Sequence, residues 1–94
     1  MEKRRGMLRL LAQAADVPQE ILPGTPLVEI TDRSRVLVEN HGGVTELLPE
    51  LIRVRVSYGS LAVRGMDLRI AKMSASQLVI TGRIFDVSLE EGAG

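Results

Sequence analysis

The spacing of apolar side chains divides the chain into two parts. In residues 7–16, Leu8, Leu11, Ala12 and Ala15 recur at helical intervals, which predicts a short amphipathic helix. From residue 27 onward, apolar and polar positions alternate with a period of two, which is typical of β-strands that bury one face. We therefore expect a basic leader and helix in residues 1–16, a Pro/Gly connector in 17–26 and a β domain in 27–94, all within a single domain.

Turn-forming residues cut the alternating part into short strands. Asp32-Arg33-Ser34 and Pro49-Glu50 are predicted turns, and Asn40-His41-Gly42-Gly43 is predicted to close a tight hairpin. No connection is long enough for a crossover helix, so the strands are expected to be antiparallel. The predicted fold class is all-β: an antiparallel immunoglobulin-like β-sandwich, or alternatively a small β-roll or barrel, of seven to eight short strands with one short N-terminal α-helix.

Two segments in the second half of the chain repeat one pattern. Residues 61–70 and 78–87 both read apolar-x-apolar-x-Gly-x-x-apolar-x-apolar, seventeen positions apart, with Gly65 and Gly82 at equivalent places. A glycine inside a strand marks a bulge, a bend or a close backbone approach. We interpret each segment as a strand, a glycine corner and a second strand, so that the pair forms two consecutive bent hairpins.

Composition excludes several classes of function. The 94 residues include no cysteine or tryptophan, and one each of histidine, tyrosine and phenylalanine. Thiolate chemistry, a multi-histidine zinc site and an aromatic platform for single-stranded nucleic acid are therefore not expected. Twelve basic and twelve acidic residues give a formal net charge of zero, which argues against nucleic acid as a partner. No cofactor is expected.

The candidate catalytic side chains lack partners in the sequence. His41 lies in a predicted turn, with no nucleophile or carboxylate at a recognisable spacing. Asp67 and Asp86 lie at nearly equivalent places in the repeated segments, but their alternation with apolar neighbours predicts that both face solvent. We therefore assign no catalytic or metal-binding residue and expect a protein that is not an enzyme. The alternative is a small-ligand or glycan-binding β module.

The neutral total conceals alternating blocks of charge. Residues 1–15 carry a net +3, residues 16–50 carry −5, residues 51–83 carry +5 and residues 84–94 carry −3. These blocks either pair within the molecule, strand against strand, or form complementary patches for a partner or for self-association. The candidate interaction surface consists of arginines in the third block: Arg53, Arg55, Arg64, Arg69 and Arg83.

The basic leader also has two interpretations. Lys3, Arg4, Arg5 and Arg9 lie beside apolar residues, so the leader either contacts an anionic membrane surface or a partner, or packs its helix on the sheet. No stretch has the length of a transmembrane helix, and the leader lacks the uninterrupted apolar region of a secretory signal. We expect a cytoplasmic protein whose membrane contact is at most peripheral.

Three stretches of the sequence carry a resemblance to a known family. They are residues 36–44, with Glu39-Asn40-His41; residues 52–65, with Gly59-Ser60-Leu61 followed by Val63 and Gly65; and residues 78–84, ending in Ile80-Thr81-Gly82-Arg83-Ile84. Across residues 20–89 the chain resembles the YabP/YqfC sporulation family of endospore-forming bacteria. Its Lys-Arg-Arg leader is more similar to the YqfC branch than to the YabP branch.

The resemblance implies a biological setting. It implies a small non-enzymatic β protein, made in the mother cell during spore formation, that acts in spore envelope assembly through protein–protein contacts. It also implies a membrane-anchored partner of the YqfD type, and a location in the mother-cell cytoplasm or peripherally at the membrane around the forespore. The family has no established catalytic or ligand-binding residues, so the resemblance assigns none to this chain.

Overall fold

The computed structural model describes residues 24–91 of the chain, and these residues form six antiparallel β-strands. They are β1 (Leu27–Thr31), β2 (Arg35–Glu39), β3 (Val44–Leu48), β4 (Leu51–Val56), β5 (Gly59–Met73) and β6 (Gln77–Glu91). All six belong to one hydrogen-bonded sheet with the order β1-β2-β6-β5-β4-β3. The all-β, antiparallel class is therefore confirmed.

The described sheet differs from the expected one in its number of strands and layers. Residues 24–91 form six strands in one open sheet, whereas seven to eight strands in a two-sheet sandwich were expected. The number is smaller because each repeated segment, predicted as two strands separated by a glycine corner, lies within one long strand: residues 61–70 in β5 and residues 78–87 in β6. The predicted helix lies outside the described residues.

The sheet consists of two units with equivalent pairing. The first unit is β1, β2 and the N-terminal part of β6, and the second unit is β3, β4 and the N-terminal part of β5. The repeated segments are therefore the long strands of two similar units, and the interpretation as two consecutive hairpins is wrong. Equivalent cross-strand pairs are Val36–Ile80 and Val38–Leu78 in the first unit, and Ile52–Val63 and Val54–Leu61 in the second.

Similar backbone hydrogen bonds occur at the glycine of each unit. The N–H of Gly65 donates to the carbonyl of Glu50 in the β3–β4 turn (3.1 Å), and the N–H of Gly82 donates to the carbonyl of Ser34 in the β1–β2 turn (3.3 Å). A second donor follows each glycine: Leu68 bonds to Pro49, and Ile84 bonds to Arg33. Each long strand thus continues along the turn of its own unit, where the register between β5 and β6 shifts. Such shifts bend the strands.

Close backbone approach explains why both positions are glycine. A Cβ atom on Gly65 would overlap the carbonyl oxygen of Arg83 on the paired strand. Gly82 has a φ of +142°, and a Cβ there would lie 2.7 Å from the carbonyl oxygen of Asp67. The two strands therefore cross the bend at a separation that leaves no room for a side chain.

One hydrophobic core lies between the two units. Because directly paired residues point to the same face of a sheet, the valines of β2 and β4 share a face with the apolar residues of β5 and β6 opposite them. The bend brings these inner faces into a single cluster, which forms only if the sheet curves on itself. Its buried members are Val36, Val38, Ile52, Val54, Val56, Leu61, Val63, Leu68, Leu78, Ile80 and Ile84.

The segment from Asn40 to Gly43 connects the units and does not close a hairpin. β2 lies between β1 and β6, whereas β3 lies at the opposite edge beside β4, so the predicted β2–β3 hairpin is wrong. The positive φ values that the residues suggested do occur, at Asn40 (63°) and Gly43 (111°). The N–H of Asn40 donates to Ser76 (2.6 Å) and that of Gly42 donates to Arg55 (2.7 Å), which ties the segment to both units.

Candidate interaction surface

Paired charges cover the outer face of strands β3 to β6, and we call them the arginine ladder. Arg53 on β4 pairs with Glu46 on β3 and extends across β5 to Glu90 on β6, with 3.0 Å between Nε and Oε1. Arg64 on β5 donates to Ser88 (3.1 Å) and lies 3.5 Å from oxygens of Asp86 and Glu90. The ladder comprises Glu46, Arg53, Arg64, Asp86, Ser88 and Glu90.

Strand register explains how one arginine spans three strands. Arg53 is paired with Glu46 on one side and with Ala62 on the other, and Ala62 is paired in turn with Ser88. The small side chain of Ala62 leaves room above β5 for the guanidinium to pass to β6. Ala62 is fully buried although it lies on the outer face, because the long arginine side chains of its neighbours cover it.

The ladder shifts the protonation equilibria of its members. The hydrogen bond from Arg53 lowers the pKa of Glu90 below the ordinary carboxyl value, and the hydrogen bond and charge of Arg64 add to this, while partial desolvation opposes it. The hydrogen bond to Glu90 likewise raises the pKa of Arg53. Both side chains remain in contact with water, with exposed fractions of 29% and 36%, so solvent screens the pair and limits its contribution to stability.

The five candidate arginines do not form one patch. Arg53 and Arg64 belong to the ladder, where each pairs with glutamate or aspartate residues of the acidic blocks. For these two arginines, the interpretation that the charge blocks pair within the molecule is correct. Arg55 follows on the outer face of β4, while Arg69 and Arg83 line a depression beside the bend. Within residues 24–91, no salt bridge includes Arg55, Arg69 or Arg83, and their role as a contact surface stays a prediction.

The leader residues proposed to contact a membrane or a partner are not described. Lys3, Arg4, Arg5 and Arg9 lie outside residues 24–91. Within the described range, no helix has the length and apolar character needed to cross a bilayer.

His41 holds the connecting segment in place through its ring. Its Nδ1 accepts the N–H of Gly43 (3.0 Å), and its Nε2 lies 2.9 Å from the carbonyl oxygen of Ser74 in the β5–β6 turn. A neutral ring with its hydrogen on Nε2 satisfies both contacts. The side chain therefore links the connecting segment to the β5–β6 turn, as expected for a structural histidine.

The two candidate aspartates face solvent, as their alternation predicted. Asp67 is exposed at the bend with a φ of 54°, and Asp86 is exposed beside Arg64. No group of three or more potential metal-ligating side chains occurs within residues 24–91.

A groove beside the bend escaped sequence analysis. It has a volume of about 510 Å³ and is lined by the β1–β2 hairpin on one side and by residues 84–87 of β6 on the other. Ile30 and Phe85 lie in this groove with exposed fractions of 52% and 63%, and Asp32, Arg33 and Asp86 add charge to its lining. Because the two walls are distant in sequence, no local pattern could have indicated the groove.

The C-terminal part of each long strand lies at an edge of the described sheet. β2 pairs with β6 only through residues 77–81, so residues 86–91 of β6 have β5 on one side and no described strand on the other. β4 pairs with β5 only through residues 59–64, so residues 69–73 of β5 have β6 as their one described neighbour. Unpaired N–H and C=O groups at such edges can bind a further strand.

Comparison with known proteins gives two matches. The model of the YabP family matches residues 24–94, a region that contains all six described strands. A protein of Bacillus subtilis (strain 168), named "Uncharacterized protein YqfC", is 19% identical over 83 residues, which cover 88% of this chain and 89% of that protein. No solved structure matches the chain significantly.

Proposed function

This chain belongs to the YabP family, and on that premise we propose that it is a sporulation protein that acts in spore envelope assembly through contacts with other proteins. The observation that carries the proposal is the family match, because it spans the whole described sheet. The protein acts in the mother cell and does not catalyse a reaction. The exposure of Asp67 and Asp86 and the structural contacts of His41 support this non-enzymatic role.

The partner is a membrane-anchored protein of the YqfD type, and the bend groove is the site of contact. Phe85 is 63% exposed in this groove, and protein interfaces are enriched in aromatic residues at their buried centres. Charged residues at the margin, such as Arg33 and Asp86, are suited to setting the orientation of a partner. The groove therefore combines an apolar anchor with a polar rim.

Replacement of Phe85 tests the proposed contact. In the organism that carries this gene, a deletion strain is complemented with wild type, with Phe85→Glu or with Leu47→Glu. Leu47 is a matched control, since it is 58% exposed on β3, away from the groove. We expect Phe85→Glu to lower the yield of heat-resistant spores about tenfold or more, as for loss of an interface anchor, while Leu47→Glu complements like wild type.

Two measurements complete this experiment. Tagged protein is recovered from the membrane fraction of sporulating cells, and Phe85→Glu is expected to lose the membrane-anchored protein that wild type retains. A version without residues 1–16 shows whether the leader is also needed. Normal sporulation with a soluble, folded Phe85→Glu protein would contradict the groove as the contact site, and normal sporulation of the deletion strain would contradict the proposed role.

A further inference from the structure

Two edge segments of the sheet are equivalent in position and opposite in charge. Residues 69–73 of β5 and residues 86–91 of β6 are the parts of the long strands beyond the bend. In the repeated pattern, Arg69 of the first segment occupies the same position as Asp86 of the second, seventeen residues later. The β5 segment adds Lys72 and the β6 segment adds Glu90 and Glu91, so one edge is basic and the other acidic.

In both edges, the charged residues lie on the outer face of the sheet and the apolar residues lie on the inner face. In the β5 edge, Ile70 is paired with Ile80 of the core, so Ile70 points inward and Arg69 points outward. In the β6 edge, Leu89 is paired with Leu61 of the core, so Leu89 points inward and Glu90 points outward. A strand placed beside either edge would therefore meet charge on its outer face and apolar surface on its inner face.

The inner side of both edges retains exposed apolar surface. Met73 at the end of the β5 edge is 52% exposed, and Leu89 in the β6 edge is 65% exposed. Leu89 also lines a depression of about 350 Å³ together with Tyr58 and Glu91. At the β6 edge, backbone with no described neighbouring strand thus lies beside a depression for side chains, which is the combination that binds an added strand.

From these observations we propose that the protein associates with itself, the basic β5 edge (residues 69–73) of one copy pairing with the acidic β6 edge (residues 86–91) of the next. Arg69 and Lys72 then lie beside Asp86 and Glu90 on the outer face, and Ile70 and Met73 lie beside Val87 and Leu89 on the inner face. The occupant of each edge is thus a second copy of this chain. This inference does not rest on the proposed membrane-anchored partner, although Asp86 and Val87 of the β6 edge also line the groove assigned to that partner.

Charge determines which edges pair. Two β6 edges would place carboxylates against carboxylates, and two β5 edges would place cations against cations; directly opposed like charges destabilise a sheet. The β5 edge also carries a register shift between Ile70 and Lys72, and a bulge with a lysine discourages pairing with an unrelated strand. Basic-to-acidic pairing is therefore favoured over both symmetric arrangements.

The contact uses different surfaces on the two copies. Such a contact leaves one basic and one acidic edge free after each addition, so it produces an open chain of copies or a closed ring. β1 and β3, the outermost strands of the described sheet, carry one acidic residue each, whereas the β6 edge carries three, of which Asp86 and Glu90 also pair with arginines of the ladder and Glu91 does not belong to it. The edges formed by β1 and β3 therefore lack the opposite charges that match the β5 edge to the β6 edge.

Charge reversal on the full chain tests the proposal by sedimentation velocity over a wide range of protein concentrations. Wild type is expected to show a mass that rises with concentration and falls in about 0.5 M salt, where surface charges are screened. Arg69→Glu/Lys72→Glu and Asp86→Lys/Glu90→Lys are each expected to weaken association about tenfold or more. The control Arg35→Glu/Arg55→Glu makes the same change in net charge as the first variant, at exposed positions outside both edges and outside the groove, and is expected to associate like wild type.

Mixing the two edge variants is the decisive step. The acidic β6 edge of the first variant complements the basic β5 edge of the second, so the mixture is expected to regain association that neither shows alone. Circular dichroism and thermal unfolding verify that each variant is folded. If a variant is not folded, Leu89→Lys is measured in its place, and the same loss of association is expected. A wild type that stays monomeric, a control that dissociates like the edge variants, or a mixture that remains monomeric would each overturn the inference. The spore yields of the Phe85 experiment are unaffected by these results, so the two proposals fail separately.

Discussion

The two units of the sheet bury nearly the same inner face and present very different outer faces. In the second unit, the cross-strand row of Glu46, Arg53, Ala62 and Ser88 is the centre of the arginine ladder. The equivalent row of the first unit is Glu29, Leu37, Val79 and Lys72, whose centre is apolar. Val79 is 6% exposed and Ala62 is fully buried. The two equivalent positions are thus both buried, but Val79 lies beside the apolar Leu37 and Ala62 lies beside the charged Arg53.

This difference separates what the fold requires from what it leaves free. The inner face must fill one shared core, and the bend must bring two strands into close contact, so both units retain the same apolar pairs and the same glycine. The outer faces and edges meet no such constraint. There the units have diverged into an ion-paired face beside an apolar one, and into a basic edge opposite an acidic one.

Substitution of the bend glycines tests the equivalence of the units most severely. We expect Gly65→Ala and Gly82→Ala each to lower the free energy of unfolding by about 4 kcal/mol, because the added Cβ meets backbone of the paired strand that cannot move aside. Urea denaturation measures the loss. Gly43→Ala is the control: it has a φ of +111° but no atom within 4 Å of the new Cβ, so only backbone strain of about 1 kcal/mol is expected.

If Gly65→Ala were as mild as the control, the close approach at the bend would be contradicted. A large loss for one bend glycine and a small loss for the other would show that a single bend holds the long hairpin.

Truncation of equivalent core residues tests whether the units contribute equally to stability. Leu61 and Leu78 occupy the same place in the repeated pattern, and both are fully buried. Leu61→Ala and Leu78→Ala are each expected to lower the free energy of unfolding by about 3 kcal/mol, through lost burial and the cavity that remains. Chemical denaturation of the two variants side by side gives the comparison, and a difference as large as the effect itself would show that one unit dominates the core.

The smallest expected effect concerns the arginine ladder, which the first unit lacks. Because Arg53 lowers the pKa of Glu90 in the folded protein, the charged form stabilises the fold above the ordinary carboxyl pKa, and this stabilisation is lost as pH falls through the lowered value. Glu90→Gln is therefore expected to have a lower urea midpoint than wild type at neutral pH, and the difference is expected to diminish as pH falls below the ordinary carboxyl pKa.

Glu29→Gln in the first unit is the matched control, as it occupies the outer row without an ion pair in the described part of the chain. A difference for Glu90→Gln that persists in acid would mean that the side chain stabilises the sheet by packing and not by charge.

Local patterns predicted the strands well where they depended on neighbours in sequence. Alternation located β1 to β4, and Asp32 and Pro49 mark turns that do connect β1 to β2 and β3 to β4. Alternation also separated the solvent-facing Asp67 and Asp86 from the core. The errors arose at Gly65, Gly82 and Asn40. Glycine and asparagine are compatible with a bend inside a strand, with a chain reversal and with a connection between units. Which of these three forms depends on contacts with residues far away in the sequence.

The candidate surface was predicted in part for the same reason. The charge blocks left two interpretations open, and pairing within the molecule holds for Arg53 and Arg64. They could not indicate that Arg69 and Arg83 lie at the bend, nor that Phe85 lines a groove with the β1–β2 hairpin, since both facts depend on how the long strands curve.

The all-β class, the antiparallel pairing and the family follow from the amino-acid sequence, because turn residues, period-two alternation and motif identity are local properties. The folded structure was needed to show that the repeated segments are two halves of one bent hairpin, which arginines are paired, and which charged edges have no described neighbouring strand. These features depend on register and on close backbone contacts between residues far apart in the chain, and an alternating sequence is compatible with many registers until a shared core selects one.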